Sequence, residues 1–160
     1  MIKKIAFLIS TLFYSGYFPK APGTFGSFVS LPIIFVICYN FGLYGLVLAV
    51  MLSFVIALFA VKKVLTYTEH DPSFIVIDEF IGQSVTFLFV ADKLKGDYNL
   101  ILYFIGFILF RIFDVAKPFP VSYADKKIKN ALGVILDDVF AGIYAAVILL
   151  FLFTFTEAFK

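Results

Sequence analysis

Two pairs of adjacent carboxylates interrupt strongly apolar stretches of this sequence. Asp78 and Glu79 lie within IVIDEFIG, and Asp137 and Asp138 lie within LDDVFAG. At membrane depth a carboxylate costs about 2.5–3.5 kcal/mol to insert, so such residues usually face a cavity and have a partner. The two pairs are therefore candidates for a buried site that binds a cation or accepts protons.

A fifth acid, Asp114, lies between two cations in the segment FRIFDVAKPFP. Arg111 precedes it by three residues and would share a helical face with it, and Lys117 follows it by three. Two cations cannot neutralise five clustered acids, whereas a divalent metal ion would offset two more of the negative charges. Oxygen ligands without a histidine or thiolate cluster suit Mg²⁺, with Mn²⁺ as the second option.

A glycine-rich segment, KAPGTFGS, precedes the first long apolar stretch. Gly23, Thr24, Gly26 and Ser27 can present backbone N–H groups and hydroxyls to an anion at the start of a helix. The Gly-Lys-Ser/Thr ending of a Walker motif is missing. A helix N-cap with a tight turn accounts for the same residues without any ligand.

Ordinary structural roles also account for part of the acidic pattern. Acids in a first helical turn complement the helix dipole, which would explain each pair separately but not Asp114 at a helix C-terminal end. Arg111 and Lys117 could equally be salt-bridging or snorkelling residues. His70, the only histidine, is left out of the candidate site because a lone loop histidine is more often a surface residue.

The composition identifies the class of protein that must position these residues. The chain has 160 residues, of which 62% are hydrophobic and 15% charged. Soluble domains are about 45–50% apolar and about 25% charged. We therefore predict one integral-membrane domain over residues 1–160, with the lipid bilayer as its surroundings. The net charge of +2 is too small to favour a nucleic-acid partner.

The apolar stretches predict an all-α, polytopic membrane helix bundle. A membrane-spanning helix needs about 20 apolar residues. Residues 5–14 are too few and are predicted to form a short interfacial N-terminal helix. The five predicted membrane helices are residues 28–39, 43–61, 74–91, 98–115 and 134–156. The first of them is short, and crosses the bilayer only with flanking residues or local thinning.

The distribution of basic residues orients these helices. If all five cross and the N-terminus is cytosolic, ten of the basic residues lie on the cytosolic side and three on the opposite side. Positive residues favour the cytosolic side, so this orientation is the expected one. The cytosolic set is Lys3, Lys4, Lys20, Lys62, Lys63, Arg111, Lys117, Lys126, Lys127 and Lys129, and the opposite set is Lys93, Lys95 and Lys160. All four polar motifs then meet at the cytosolic face.

Together the motifs PGTFGS, IVIDEFIG, FRIFDVAKPFP and LDDVFAG resemble those of the phosphatidylglycerophosphatase A family, in order and spacing, from Pro22 to Gly142. The resemblance implies a Mg²⁺-dependent membrane phosphatase. Such an enzyme removes the terminal phosphate of phosphatidylglycerophosphate and leaves phosphatidylglycerol and inorganic phosphate. Phosphatidylglycerol synthesis at a cytosolic face suits a bacterial inner membrane.

The resemblance also implies roles for individual residues. The acidic positions correspond to Asp78, Glu79, Asp114, Asp137 and Asp138, the basic positions to Arg111 and Lys117, and the glycine-rich turn to Gly23, Thr24, Gly26 and Ser27. We expect the two acid pairs to hold one or two Mg²⁺ ions, and one of these carboxylates or Asp114 to act as general base. Arg111 would grip the phosphate bidentately and Lys117 would add a point charge.

Two glycines are expected to bring the acid pairs together. Gly82 and Gly142 each follow an acid pair by about one helical turn, and small residues let membrane helices approach closely. Ordinary helix packing explains the same glycines, and such packing permits a homo-oligomer without requiring one.

The alternative function from another class is a cation transporter or channel that uses the same acids. It predicts polar residues that continue across the bilayer, but residues 87–90 and 144–153 are almost wholly apolar. A purely structural membrane protein would leave the five acids unexplained.

Overall fold

The computed structural model describes residues 2–68, 72–95 and 99–157, and within these ranges the only regular elements are helices. The α-helices are α1 (Ile2–Ser10), α2 (Pro22–Val64), α3 (Ile77–Phe87), α4 (Leu100–Ala116), α5 (Val121–Lys127) and α6 (Ala131–Glu157). Two 3-10 turns, Ser15–Tyr17 and Leu88–Val90, complete the set. The predicted all-α class is confirmed. His70 lies outside the described residues.

Helix α2 is broken into two arms at Gly42. This residue has φ +59° and ψ −144°, a backbone conformation that residues with a Cβ rarely adopt. At the break the amide of Leu43 donates to Asp92 Oδ1 across 2.8 Å. The predicted division of this stretch into two helices is therefore confirmed, and each arm, 22–41 and 43–64, is about 20 residues long.

The predicted start of the first arm at residue 28 is wrong, because α2 begins at Pro22. A proline in the first turn does not destabilise a helix. An N–H at that position would have no acceptor within the helix, and the φ angle of proline already suits a helix. Gly23 and Gly26, which the sequence pattern assigned to a turn, are thus part of the helix.

Helix α3 is shorter than the predicted 74–91 and is the most enclosed element of the fold. All of its 11 residues are buried. It packs mainly between α2 and α6. The hydroxyls of Ser84 and Thr86 donate to the carbonyls of Phe80 and Gly82, which satisfies these polar groups inside the helix. The first acid pair thus lies on a helix surrounded by protein.

The other helices differ from prediction mainly at their ends. The N-terminal helix ends at Ser10 rather than at residue 14, because Leu12, Phe13 and Tyr14 all have positive φ values. Helix α5 was not predicted, and it packs against α6 in the connection that follows α4.

By length and composition, two helices of the described residues are candidates to cross a membrane, Pro22–Val64 and Ala131–Phe155. Much of the outer surface is apolar as well. Tyr44 is 87% exposed and Phe59 is 73% exposed. Exposed apolar surface on this scale is typical of a protein that contacts lipid or a partner.

Candidate active site

The backbones of α3 and α6 approach each other closely at Gly82 and Gly142. A Cβ on Gly82 would lie 2.5 Å from the carbonyl oxygen of Asp138, and a Cβ on Gly142 would overlap the carbonyl of Gly82. Only glycines permit this approach of the two backbones. The contact draws the first turn of α3 towards the second acid pair on α6, as the glycine spacing predicts.

Carboxylates from three helices converge beside this contact. One oxygen each from Glu79, Asp114 and Asp138 lies within 4.8 Å of the other two. Glu79 is 8% exposed and Asp138 is 4% exposed, so most of their surface is removed from bulk water. Three hard oxygen donors at this spacing could hold a divalent cation.

A cleft of about 240 Å³ collects the predicted acids. Its walls include all five of them, together with Gly23 and Lys117. The first member of each pair also orients its neighbour. Asp78 Oδ1 accepts the N–H of Glu79, and Asp137 Oδ1 accepts the N–H of Asp138, each across 3.0 Å. The four junctions that the sequence placed together therefore do meet.

The Arg111 guanidinium ties two of the acids together. Its Nη1 lies 2.8 and 2.7 Å from the two carboxylate oxygens of Glu79 and 2.8 Å from Asp114 Oδ2. The same nitrogen lies 3.3 Å from Ser27 Oγ. This side chain is thus engaged with carboxylates of the site, as in the salt-bridging role that the sequence left open beside that of a phosphate ligand.

The glycine-rich segment packs directly on Glu79. Ser27 is fully buried, and its hydroxyl donates to Glu79 Oε2 across 2.7 Å. A Cβ on Gly23 would overlap Glu79 Oε1. Gly26 packs instead on the side chain of Val76, where an added Cβ would lie 2.7 Å away. Two of the four predicted anion-binding residues therefore contact the acid cluster itself.

The helix start at Pro22 also decides which amides in this segment are open to an anion. The N–H of Phe25 bonds to the carbonyl of Ala21, so the helical hydrogen-bond ladder begins at that residue. The amides of Gly23 and Thr24 precede the ladder and have no acceptor within the helix. Those of Gly26 and Ser27 fall within it, so any anion contact by this segment is confined to Gly23 and Thr24.

Lys117 lies at the mouth of the site, immediately after α4. Its ammonium donates to Asp125 Oδ1 across 2.6 Å and to Asp137 Oδ2 across 3.0 Å. Burial acts to lower the pKa of Lys117, but the hydrogen bond with Asp125 and the charge of Asp137 outweigh it and raise this pKa above its ordinary value. Lys117 therefore keeps its positive charge throughout the neutral pH range.

Sequence reasoning missed Asp125. It lies on the short helix α5, whose sequence VSYADKK resembles a polar loop. The available signal was a single acid directly before two lysines, four residues after a valine. That signal alone does not indicate which cation the acid would meet.

Sequence comparison with known proteins identifies the family of the chain. The family model described as phosphatidylglycerophosphatase A matches residues 8–153. The chain belongs to this family. The resemblance seen in the four motifs is thereby confirmed, and the chain is an enzyme, a lipid phosphatase of the phosphoric monoester hydrolase class. No solved structure matches it.

Individual members are similar along most of their length. Phosphatidylglycerophosphatase A of Haemophilus influenzae is 33% identical over 153 residues, which cover 92% of this chain and 91% of that protein. Phosphatidylglycerophosphatase A of Escherichia coli is 33% identical over 147 residues, 91% of this chain and 81% of that protein. A Bacteroides thetaiotaomicron protein named "Putative phosphatidylinositol-3-phosphatase" is 34% identical over 146 residues, 89% of each chain.

Proposed function

We propose that this enzyme removes the terminal phosphate of phosphatidylglycerophosphate, with Mg²⁺ as its cofactor, at the cytosolic face of a bacterial inner membrane. Two similar bacterial proteins carry the name phosphatidylglycerophosphatase A. The observation that carries the proposal is the convergence of Glu79, Asp114 and Asp138 oxygens within 4.8 Å of one another.

The donor set of the cleft fits Mg²⁺. Glu79, Asp114 and Asp138 would hold the ion, since all three offer hard carboxylate oxygens and nearby Arg111 and Lys117 leave the acids under-neutralised. When bound, Mg²⁺ supplies charge neutralisation for the phosphate oxygens and a lowered pKa for water. Asp78 and Asp137, the first members of the two pairs, line the same cleft and remain candidate ligands. Lys117 and the amide of Asp138 engage the oxygens of Asp137, as Arg111 engages those of Glu79.

The other residues of the cleft would bind and orient the phosphate. Lys117 supplies a positive charge, and the amides of Gly23 and Thr24 supply donors at the start of α2. A carboxylate of the cleft takes the proton from the attacking water as general base. Arg111 acts through Glu79 and Asp114, which it holds in position, and is therefore a positioning residue in this scheme.

The membrane arrangement we propose has five helices: the two arms of α2, then α3, α4 and α6. Helix α3 has 11 residues. It therefore reaches only about 16 Å, roughly half of a hydrocarbon core of about 30 Å. It can lie at membrane depth because the other helices, rather than lipid, surround it. The bias of basic residues favours the orientation in which the cleft opens to the cytosol.

The test is phosphate release from defined lipids by the purified protein in detergent micelles. Phosphatidylglycerophosphate is compared with phosphatidylinositol 3-phosphate and phosphatidic acid, each with Mg²⁺ and with a chelator. We expect release from phosphatidylglycerophosphate that needs Mg²⁺. Preference for phosphatidylinositol 3-phosphate would overturn the substrate, and release that persists in chelator would overturn the cofactor.

The matched variants are Asp138→Asn in the cleft and Asp92→Asn at the break of α2. Loss of a residue that only orients a metal ligand lowers activity by about 10–100-fold. Asp138→Asn removes a carboxylate of the cation site itself, so its activity should fall by at least as much. Asp92→Asn keeps an oxygen that can accept the amide of Leu43, so its activity should stay near that of the native chain. A fully active Asp138→Asn would exclude the proposed site.

A further inference from the structure

Outside the catalytic cleft, a groove follows the end of α2 where it meets the start of α6. Its inner part has a volume of about 370 Å³ and is lined by Leu58, Phe59 and Leu132. Its outer part has a volume of about 280 Å³ and is lined by Lys62 and Lys129, among others. Both parts share Lys62, Asn130 and Ala131, so they form one continuous groove that is apolar at one end and basic at the other.

We propose that this groove binds one anionic phospholipid of the surrounding bilayer, at a site separate from the catalytic cleft. The acyl chain lies along Phe59 and Leu132, and the headgroup phosphate lies between Lys62 and Lys129. The inference rests on the membrane setting of the proposed function, but not on its reaction.

The order of groups along α2 matches the order of groups along a lipid. Leu58 and Lys62 are one helical turn apart on the same face, and Thr66 follows one turn later, where α2 has ended. Along the groove, apolar side chains are followed by a lysine and then by a hydroxyl. A phospholipid has the matching order, in which the acyl chain is followed by the phosphate and then by the rest of the headgroup.

The charges of the groove select an anion. Among the described residues, two lysines and no acid line its two parts. The nearest acid on α5, Asp125, accepts the Lys117 ammonium with its carboxylate and offers only its backbone carbonyl to Lys129, at 3.1 Å. Lysines at a membrane surface attract anionic lipid strongly.

The apolar end of the groove is exposed and would be buried by a bound acyl chain. Phe59 is 73% exposed and Leu132 is 39% exposed, which is a large apolar area to leave without a neighbour. A second groove on the other side of Phe59, against α1, contains one lysine, Lys63, whose ammonium lies 5.2 Å from the ring centre of Tyr67. The groove with two lysines is therefore the one that suits an anionic headgroup.

The experiment uses a single tryptophan as a local reporter, since the sequence contains none. Leu132→Trp places it in the groove. The protein is reconstituted into bilayers of phosphatidylglycerol and phosphatidylcholine in equal parts, with brominated acyl chains on either one lipid or the other. Bromine quenches tryptophan only on contact, so the two preparations give the relative affinity of the groove for each lipid.

We expect phosphatidylglycerol to be preferred, by about fivefold for each lysine. The preference should vanish when Lys62→Gln and Lys129→Gln are added, and it should remain when Lys126→Gln and Lys127→Gln are added instead. The control pair removes the same charge from exposed positions of α5 outside the groove. Equal quenching by both lipids in Leu132→Trp alone, or a preference that survives loss of Lys62 and Lys129, would overturn the proposal.

A second measurement avoids the tryptophan. Native mass spectrometry of the unsubstituted chain should retain more bound phosphatidylglycerol than that of Lys62→Gln/Lys129→Gln, and equal retention would contradict the site. Neither readout depends on catalysis. If phosphate release fails while the preference persists, the proposed reaction is wrong and the groove stands; the reverse result rejects the groove alone.

Discussion

Ser27 and Glu79 are separated by 52 positions in the chain, yet the serine hydroxyl donates to Glu79 Oε2 across 2.7 Å. The serine is fully buried on α2, and Arg111 from α4 donates to both oxygens of the same carboxylate. The orientation of one acid of the site is thus set by two other helices. A change in the packing of either helix would therefore move the Glu79 carboxylate in the cleft.

Replacing Ser27 by alanine tests this dependence. We expect Ser27→Ala to lower phosphate release by about 10-fold or more, because a residue that orients a cation-binding carboxylate contributes in this range. Ser30→Ala is the matched control, since Ser30 is also fully buried but donates only within its own helix, to Gly26. Equal activity of the two variants would show that the bond to Glu79 does not matter for catalysis.

Gly142→Ala tests the close approach of α3 and α6. The added Cβ would overlap the backbone of Gly82, which cannot move aside as a flexible side chain would. We expect a loss of about 1–3 kcal/mol in the free energy of unfolding, with a fall in activity as the acid pairs separate. Val147→Ala, on an exposed part of α6, should change stability by about 0.5 kcal/mol or less. If Gly142→Ala had the same melting temperature and the same rate of phosphate release as the native chain, the role of this contact would be refuted.

Asp125→Asn tests the support of Lys117 through pH dependence. Burial acts to lower the pKa of Lys117, and the bond to Asp125 is among the interactions that raise it. Without this carboxylate the pKa of the lysine must fall, so its positive charge is lost at a lower pH than in the native chain. At strongly alkaline pH the variant should therefore lose a larger share of its activity than the native chain does. A profile that drops by the same factor at every pH would indicate a general structural effect instead.

Gly42→Ala tests the break of α2 apart from the catalytic cleft. A residue with a Cβ at φ +59° and ψ −144° is strained, and such conformations cost about 1–3 kcal/mol. We expect a lower melting temperature, with activity retained at temperatures where the variant is folded. Asn40→Ala, an exposed residue just before the break, should change the melting temperature little. An unchanged melting temperature in Gly42→Ala would show that the break tolerates side chains.

The sequence was sufficient to group the acids, because the physical cost of a carboxylate in an apolar stretch is large and local. Asp78, Glu79, Asp114 and the pair on α6 do line one cleft. The hydrogen-bond partners of each acid could not be predicted from the sequence, because the contact between Arg111 and Glu79 depends on how α4 packs on α3. The resemblance to a family supplied the function that spacing alone left open.

Helix ends were harder to predict for a related reason. Gly23 and Gly26 favour a turn by intrinsic propensity, but tertiary contacts with Glu79 and Val76 leave no room for a side chain, and the segment is helical. Helix α5 has too few residues for the helical spacing of its apolar side chains to be distinguished from the sequence of a loop. In both cases packing between distant parts of the chain decided the local structure.

The enclosure of α3 has a consequence for how the protein is made. This helix is too short to remain in a bilayer by itself, and it carries two acids and a fully buried glutamine, Gln83. Its main neighbours are α2, synthesised earlier, and α6, synthesised later. In the membrane arrangement we propose, nothing on that side shields Asp78 and Glu79 from lipid until α6 has been synthesised. In that arrangement we expect this segment to stay at the translocon or near the interface during synthesis, and the enzyme to become competent only once α6 is in place.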